Sequence, residues 1–232
     1  PPRSTLFPYT TLFRSPVLWI VAHEGGEIVA VTRDESRFVV GGLRPDTDES
    51  LLVETLSVDG LWAAASRTVR TRPAQARPII HEVYANPVGP EPDQEWVEIA
   101  NAGTAPLLLD GLVIEDVGGV TVLPPGSGTI PPGGFAVVVP AKFDPSSPYD
   151  VPPAAGAALV FVEKLGKNGL SNQGEPLILR TAAGDVAGTF PAKPKPKQGM
   201  SVARRSLDAL DEAPDAFYVA ETPTPGAANE PR

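Results

Sequence analysis

Four carboxylates stand close together near the middle of the sequence, at Glu91, Asp93, Glu95 and Glu98. Carboxylates are hard oxygen donors, so Ca²⁺ is the metal to consider, with Asp93, Glu95 and Glu98 as candidate ligands. A pair of carboxylic acids also serves glycosidases, which need a cleft and a set separation between the two groups. The spacing matches no D-x-[DN]-x-[DN]-G calcium loop. A loop and strand face in solvent is therefore the favoured interpretation, with the Ca²⁺ site and the acid pair as alternatives.

Nucleophilic chemistry has few residues to work with. The sequence contains two histidines, His23 and His81, and no cysteine. His81 stands among the apolar residues Ile80 and Val83, and no G-x-S-x-G nucleophile elbow accompanies it, which favours a structural or surface histidine over a catalytic triad. The lack of cysteine excludes a thiol nucleophile, a disulfide framework and a thiolate metal site. We therefore assign no catalytic residue, no metal site and no cofactor, and predict that the chain is not an enzyme.

One basic run stands out, Lys193-Pro194-Lys195-Pro196-Lys197. Alternating proline favours an extended segment that holds three ammonium groups in solvent. A solubilising loop is the favoured interpretation, and contact with an anionic polymer such as a cell-wall glycan is the alternative.

The composition predicts an all-β chain. Its 232 residues include 28 Pro and 22 Gly and are 6% aromatic, which is typical of short strands joined by turns. Residues 78–230 hold nine Lys and Arg against nineteen Asp and Glu, a balance of −10. Nucleic-acid binding starts from basic surfaces, so a nucleic-acid partner is not expected. No apolar run approaches the roughly 20 residues of a membrane span.

Alternation of apolar residues with turn signals places the strands. In residues 96–100, Val97 and Ile99 alternate with Glu98 and Ala100, which predicts one face on a core and one in solvent. Residues 204–213 are predicted to contain one helical turn. Five strands are predicted before Pro78, at residues 17–22, 27–32, 37–40, 51–56 and 64–70, and nine after it, at residues 79–84, 96–100, 107–114, 135–139, 158–163, 176–181, 185–190, 201–204 and 217–220.

Residues 16–72 resemble the C-terminal half of a fibronectin type III module. The resemblance rests on residues 42–47, 51–55, 58–60 and 70–71, with Glu49 where the family usually has a corner Tyr. Such a sandwich needs roughly 100 residues, so this partial module is expected to be poorly ordered or to pack on its neighbour, with Trp19 and Trp62 in its core. Residues 73–77 are predicted to be a linker.

Residues 5–15, TLFPYTTLFRS, resemble a translated sequencing-library adapter. Residues 1–15 are therefore expected to be an artefact of sequencing, disordered and unrelated to the fold. The chain is accordingly expected to be a fragment of a longer, metagenomic protein whose signal peptide is not present here.

Residues 78–230 resemble the lamin tail domain, an immunoglobulin-like β-sandwich of nuclear lamins and of many bacterial surface or secreted proteins. The residues that carry the resemblance are Glu82, Asn86, Pro87, Glu95, Trp96, Val97, Glu98, Asn101, Gly103, Gly111, Asp116, Gly133, Gly134, Ser201, Arg204, Pro225, Gly226 and Asn229. The chain departs from the family at Leu112-Val113, where Trp is frequent, and in the inserted residues 191–197. The resemblance implies a sandwich, a bacterial extracellular or cell-surface location, no catalytic residue, and a Trp96 partly buried against the sheet, with sugar stacking as its alternative role.

The sequence thus predicts a non-catalytic interaction or attachment module at the C-terminus of a secreted or cell-surface modular protein. Its partner is expected to be a protein or a cell-surface glycan. The alternative is an accessory domain of an extracellular hydrolase, of the nuclease or phosphatase class, whose catalytic domain lies upstream of this fragment.

Overall fold

The computed structural model describes residues 18–23, 28–33, 43–57 and 60–230. Two predictions lie outside these residues: the adapter-derived segment 1–15 and the strand at residues 37–40. The described chain is all-β, with sixteen strands and no helix among these residues. It divides into two compact units, and the boundary in sequence falls between Ala74 and Gln75.

The first unit contains strands β1 (Leu18–His23), β2 (Ile28–Arg33), β3 (Asp48–Leu56) and β4 (Trp62–Arg70). They form one antiparallel sheet in the order β2-β1-β3-β4. Val53 on β3 is buried, whereas Trp62 on β4 is 59% exposed. The predicted core position of Trp62 is therefore wrong, and the side chain of Trp19 lies outside the described residues.

The second unit is built from two larger sheets and one small one. Its strands are β5 (Pro78–Tyr84), β6 (Trp96–Asn101), β7 (Leu107–Leu108), β8 (Val113–Glu115), β9 (Val120–Val122), β10 (Thr129–Ile130), β11 (Phe135–Pro140), β12 (Ala158–Val162), β13 (Leu177–Arg180), β14 (Val186–Phe190), β15 (Ser201–Arg204) and β16 (Phe217–Ala220). The six-stranded sheet has the order β12-β11-β6-β5-β15-β16, the four-stranded sheet has the order β14-β13-β8-β9, and β10 pairs with β7.

The two larger sheets pack face to face as a β-sandwich. Val97, Ile99 and Val138 from the six-stranded sheet share one core with Ile114 and Leu179 from the four-stranded sheet, and each is at most 3% exposed. Burying a side chain of this size stabilises the fold by about 1.5–3 kcal/mol relative to leaving it in water. This core fixes which side of each strand faces inward.

Two local predictions are wrong. The predicted strand 107–114 is broken, because Gly111 takes a φ of 75° in a turn, after which β8 joins a different sheet from β7. Residues 204–213 form two separate turns, closed by Ala209 N–H to Ser206 O and by Ala213 N–H to Leu210 O, in place of the predicted helical turn. Strands β9 and β10 were not predicted.

The outer face of the six-stranded sheet is covered rather than solvated. Tyr84, Trp96, Val137, Val139 and Phe143 form a second apolar cluster there. The predicted solvent-facing side of strand β6 is therefore wrong, since all six residues of the strand are buried. A second layer, made of loops and of the chain near its C-terminus, replaces solvent on this face and positions the polar groups described next.

Candidate functional site: a buried carboxyl cluster

An irregularity in the pairing of β5 with β6 brings three ionisable side chains together. Ile80 is opposite Ile99 and Glu82 is opposite Glu98, so His81 is the extra residue of a β-bulge. Since Ile80 and Ile99 belong to the inner core, Glu82 and Glu98 face the other side of the sheet. His81 Nδ1 lies 2.6 Å from Glu98 Oε1. Two carboxyl side chains thus stand directly opposite each other, with a histidine beside them.

These side chains are out of contact with solvent. Glu82 and Glu98 are 0% exposed and His81 is 2% exposed. Burial of an ionisable group is costly unless hydrogen bonds satisfy it. Glu82 accepts hydrogen bonds from the Ser201 hydroxyl and, at 3.2 Å, from the Thr224 N–H. Glu98 Oε2 accepts the N–H of Gly226 at 2.5 Å.

Residues 224–229, which we term the C-terminal clamp, hydrogen-bond to Glu82, Glu98 and His81. Thr224 and Gly226 bond the two carboxyls, and Asn229 Nδ2 lies 2.8 Å from Arg204 O and 3.1 Å from His81 Nε2. Gly226 has a φ of 85°, and a Cβ there would lie 2.4 Å from Ala157 Cβ. Only glycine therefore fits where the clamp comes closest to Glu98.

The hydrogen bonds of Asn229 fix the tautomer of His81. An amide NH₂ group only donates, so His81 Nε2 is the acceptor of the Asn229 bond. Neutral His81 then carries its proton on Nδ1 and donates it to Glu98 Oε1. Burial, followed by the nearby Arg204 charge, lowers the pKa of His81 to about 4 against the opposing effect of Glu82, which keeps the ring neutral at pH 7.

Burial and the contacts of Thr224 both favour a proton on the carboxyl pair at neutral pH. Thr224 Oγ1 lies 2.8 Å from both Glu82 Oε2 and Asn229 Oδ1, and it has one proton for these two acceptors. When Thr224 donates to Asn229, its bond to Glu82 requires a proton on Glu82. Burial raises the pKa of Glu82 to about 7, assisted by the charge of Glu98. Burial likewise raises the pKa of Glu98 to about 8, opposed by the Gly226 N–H.

The protonated carboxyls give the fold a definite pH dependence. In the unfolded chain a glutamate titrates near pH 4.3, so above that pH the native state holds protons that the unfolded state has released. The free energy of unfolding is therefore expected to be highest near pH 4 and to fall as pH rises through 7 to 8. We expect Glu82→Gln to match the original chain at pH 5 and to be about 2 kcal/mol more stable at pH 8 in urea unfolding.

The matched control for this experiment is Glu163→Gln, which removes an exposed carboxylate. It is expected to leave the shape of the stability–pH curve unchanged. A Glu82→Gln variant that loses stability by the same amount at pH 5 and pH 8 would show that Glu82 is ionised in the native state.

Arg204 stands next to the cluster and connects several elements. Its guanidinium group is 0% exposed. Nε donates to Ile80 O at 3.0 Å, Nη1 to Ala209 O at 2.8 Å, and Nη2 to Asp211 Oδ1 at 2.5 Å. Asp211 Oδ2 in turn accepts the N–H of Thr189 on β14 at 2.6 Å. Arg204 and Asp211 therefore form a hydrogen-bonded connection between the two sheets.

The structure does not bring the three calcium candidates together. Glu95 Oε2 accepts the N–H of Leu170 at 2.6 Å, whereas Glu98 bonds His81 and Gly226. Burial raises the pKa of Glu95 to about 8, and Asp93 is half-buried. In the described ranges, no three His, Asp or Glu side chains are arranged to hold a metal ion.

The favoured interpretation of the carboxylates as a solvated face is wrong for Glu95 and Glu98, which are 2% and 0% exposed. It fits Glu91, which is exposed and accepts the Asn172 amide at 3.0 Å. Trp96 is more buried than predicted, at 1% exposure, with its ring 5.4 Å from that of Tyr84. It has no free face on which a sugar could stack.

Motif residues from distant parts of the sequence meet at the cluster. Glu82, Glu98, Ser201, Gly226 and Asn229 all contribute to it. Asn101 organises a second junction, where its side chain accepts the N–H groups of Arg77 and Gly103 and donates to Ala105 O and Ile130 O. Asp211 was missed by the sequence reasoning. Thr224 begins the Thr-Pro-Gly segment that closes the lamin-tail resemblance, but the sequence predicted no role for its side chain.

No known protein family matches the chain. No curated protein matches it either. Among solved structures, the chain is similar to a DUF4876 family protein from Bacteroides thetaiotaomicron VPI-5482, with a TM-score of 0.31 and 12% sequence identity. The similarity covers 71% of this chain and 62% of that chain, so it spans less than two thirds of the neighbour's length. No helix in the described part of the chain has the length and apolarity needed to cross a membrane.

Proposed function

We propose that this chain is a non-catalytic interaction or attachment module of a secreted or cell-surface protein, with its second unit of the lamin-tail, immunoglobulin-like type. The observation that carries the proposal is the state of the buried carboxyl cluster. Its acids are engaged with the chain itself, which leaves the outward-facing side chains to make contact with a partner.

A catalytic carboxyl must reach its substrate, at hydrogen-bond distance or through one water molecule. Glu82 and Glu98 are 0% exposed, and their oxygens accept hydrogen bonds from the Ser201 hydroxyl and from the Thr224 and Gly226 N–H groups. A substrate would have to displace the C-terminal clamp and its packing at Ala157 before touching either acid. The cluster is therefore better suited to holding the clamp on the sheet than to chemistry.

Two features support the finer assignment of the fold. The lamin-tail motif residues Glu82, Glu98, Ser201, Gly226 and Asn229 converge on one buried site, as expected of residues that define a fold. The antiparallel sheet of the first unit supports the fibronectin type III assignment of residues 16–72. The alternative function, an accessory domain of an extracellular hydrolase, also requires this chain to bind a partner without catalysing a reaction.

The proposal is tested by sedimenting the full chain with isolated bacterial cell-envelope fragments at physiological salt. We expect saturable co-sedimentation, and we expect Glu82→Gln and Glu98→Gln variants to bind as well as the original chain because neither acid contacts the partner. Absence of saturable binding would contradict an attachment role. Release of phosphate or reducing sugar that Glu98→Gln abolishes would identify the cluster as a catalytic site.

A further inference from the structure

The basic run has an ordered arrangement in the second unit. Lys193, Lys195 and Lys197 are exposed, whereas Pro194 is half-buried and Pro196 is buried. The prolines line a small apolar pocket between the sheets, together with Val83, Leu177, Phe190 and Val202. The prolines thus anchor the segment and the lysines project away from the protein. We term Lys193, Lys195 and Lys197 the lysine ridge.

The three ammonium groups have no anionic partner within the described residues. Among the described residues of the second unit, ion pairs form at Arg77, His81, Arg180 and Arg204, and these pairs include no lysine of the ridge. Glu175 lines the same apolar pocket, but its carboxylate accepts the N–H of Ser171 at 2.7 Å. Three like charges within five consecutive residues repel one another, and an anionic partner relieves that repulsion.

The ridge is prepared for binding at low entropic cost. Lysine side chains on a flexible loop must give up backbone freedom when they bind, and proline restricts that freedom in advance. The buried Pro196 adds a packing contact that holds the segment on the sandwich. The remaining loss on binding is that of the lysine side chains themselves.

The surroundings select the shape of the partner. Residues 78–230 carry a net charge of −10, so the ridge places three positive charges on a domain whose overall charge is negative. A nucleic-acid duplex carries phosphates on two strands and binds broad basic surfaces with many contacts. A single-stranded polyanion can pair with three lysines through few contacts, whereas the negative net charge of the domain disfavours a duplex that relies on many.

We infer that Lys193, Lys195 and Lys197 form a binding site for a linear polyanion, specifically an acidic cell-surface polysaccharide. The inference rests on the proposed function as an attachment module and names the chemistry of the attachment. Each ammonium group pairs with a carboxylate of the polymer, and the anchored prolines set the direction in which the polymer runs.

The test measures binding of the full chain to polygalacturonate, with neutral dextran and a short DNA duplex as comparison probes. Lys193→Gln/Lys195→Gln/Lys197→Gln is expected to bind polygalacturonate about tenfold more weakly at low salt, because it loses three exposed ion pairs that each contribute modestly. For the original chain, the logarithm of the association constant plotted against the logarithm of the salt concentration should have a slope of about −2 for three contacts. For the variant, this slope should be near zero. Dextran is expected not to bind.

The matched control is Lys142→Gln/Lys164→Gln/Lys167→Gln, which removes the same charge from three other exposed lysines of the second unit. It is expected to keep most of the affinity for polygalacturonate. Equal losses in the two triple variants, or no binding of polygalacturonate by the original chain, would overturn the inference. Tighter binding of the DNA duplex than of polygalacturonate would overturn it in favour of a nucleic-acid partner.

The envelope experiment separates this inference from the proposed function. If the ridge variant sediments with envelope fragments as well as the original chain, the attachment role stands and the ridge is not its site. If the original chain fails to bind envelopes, the attachment role itself fails.

Discussion

Deleting residues 224–232 is expected to lower the free energy of unfolding of the second unit by about 3–5 kcal/mol. The deletion removes the Thr224 and Gly226 N–H donors of the two buried carboxyls and the Asn229 amide that bonds His81. A hydrogen bond contributes about 0.5–1.5 kcal/mol between neutral groups and about 1.5–3 kcal/mol when one group is charged, and water that enters the opened site restores part of that loss. Urea unfolding followed by near-ultraviolet circular dichroism measures the change.

The control is deletion of residues 230–232 alone, which leaves Thr224, Gly226 and Asn229 in place. We expect it to change the unfolding free energy by less than about 0.5 kcal/mol, because the clamp keeps its hydrogen bonds to Glu82, Glu98 and His81. A loss of less than about 1 kcal/mol on the longer deletion would mean that the carboxyls find equivalent partners without the C-terminal clamp.

Replacing Arg204 by Met is expected to cost about 3–5 kcal/mol, because it leaves a charged partner and two carbonyls without their donor. The groups that lose a bond are Asp211 Oδ1, Ile80 O and Ala209 O. The guanidinium also lies 4.6 Å from the Phe217 ring centre, and Met replaces part of that packing. Thermal and urea unfolding of Arg204→Met against the original chain measure this cost.

The neighbouring arginine provides the control for the Arg204 substitution. Arg205 is exposed and bonds the backbone of Asp215 at 3.2 Å, so Arg205→Met is expected to cost less than about 1 kcal/mol. A double-mutant cycle with Asp211→Asn should show coupling of about 0.5–3 kcal/mol for the buried ion pair. Equal losses of unfolding free energy in Arg204→Met and Arg205→Met would show that the Arg204–Asp211 connection between the sheets does not stabilise the fold.

Strand positions were predictable where apolar residues were bounded by turn residues on both sides. Strands β15 and β16 begin and end at the residues expected, Ser201–Arg204 and Phe217–Ala220. Strand 107–114 was predicted as continuous because its apolar residues do not reveal that the chain turns at Gly111 and changes sheets. Strands β9 and β10 have three and two residues, too few for alternation to register.

The burial of the carboxyls was not predictable from local pattern. Alternation around Glu98 indicates that Val97 and Ile99 face the core, which is correct, but it carries no information about what covers the other face. That covering comes from far along the chain, since Gly226 is 128 residues from Glu98 and Thr224 is 142 residues from Glu82. The lamin-tail resemblance did select Glu82, Glu98, Gly226 and Asn229, without indicating that they meet.

Amide hydrogen exchange at Thr224 and Gly226 tests most directly whether the carboxyl cluster is a structural fastening of the C-terminal clamp. Both N–H groups donate to buried carboxyls. If the clamp opens only when the second unit unfolds, these two amides exchange as slowly as those of Val97 and Ile99 on β6, and this is the result we expect. Exchange at the rate of an exposed loop would show that the clamp opens without unfolding of the second unit. Glu82 and Glu98 would then be accessible to a substrate, which would contradict the structural role.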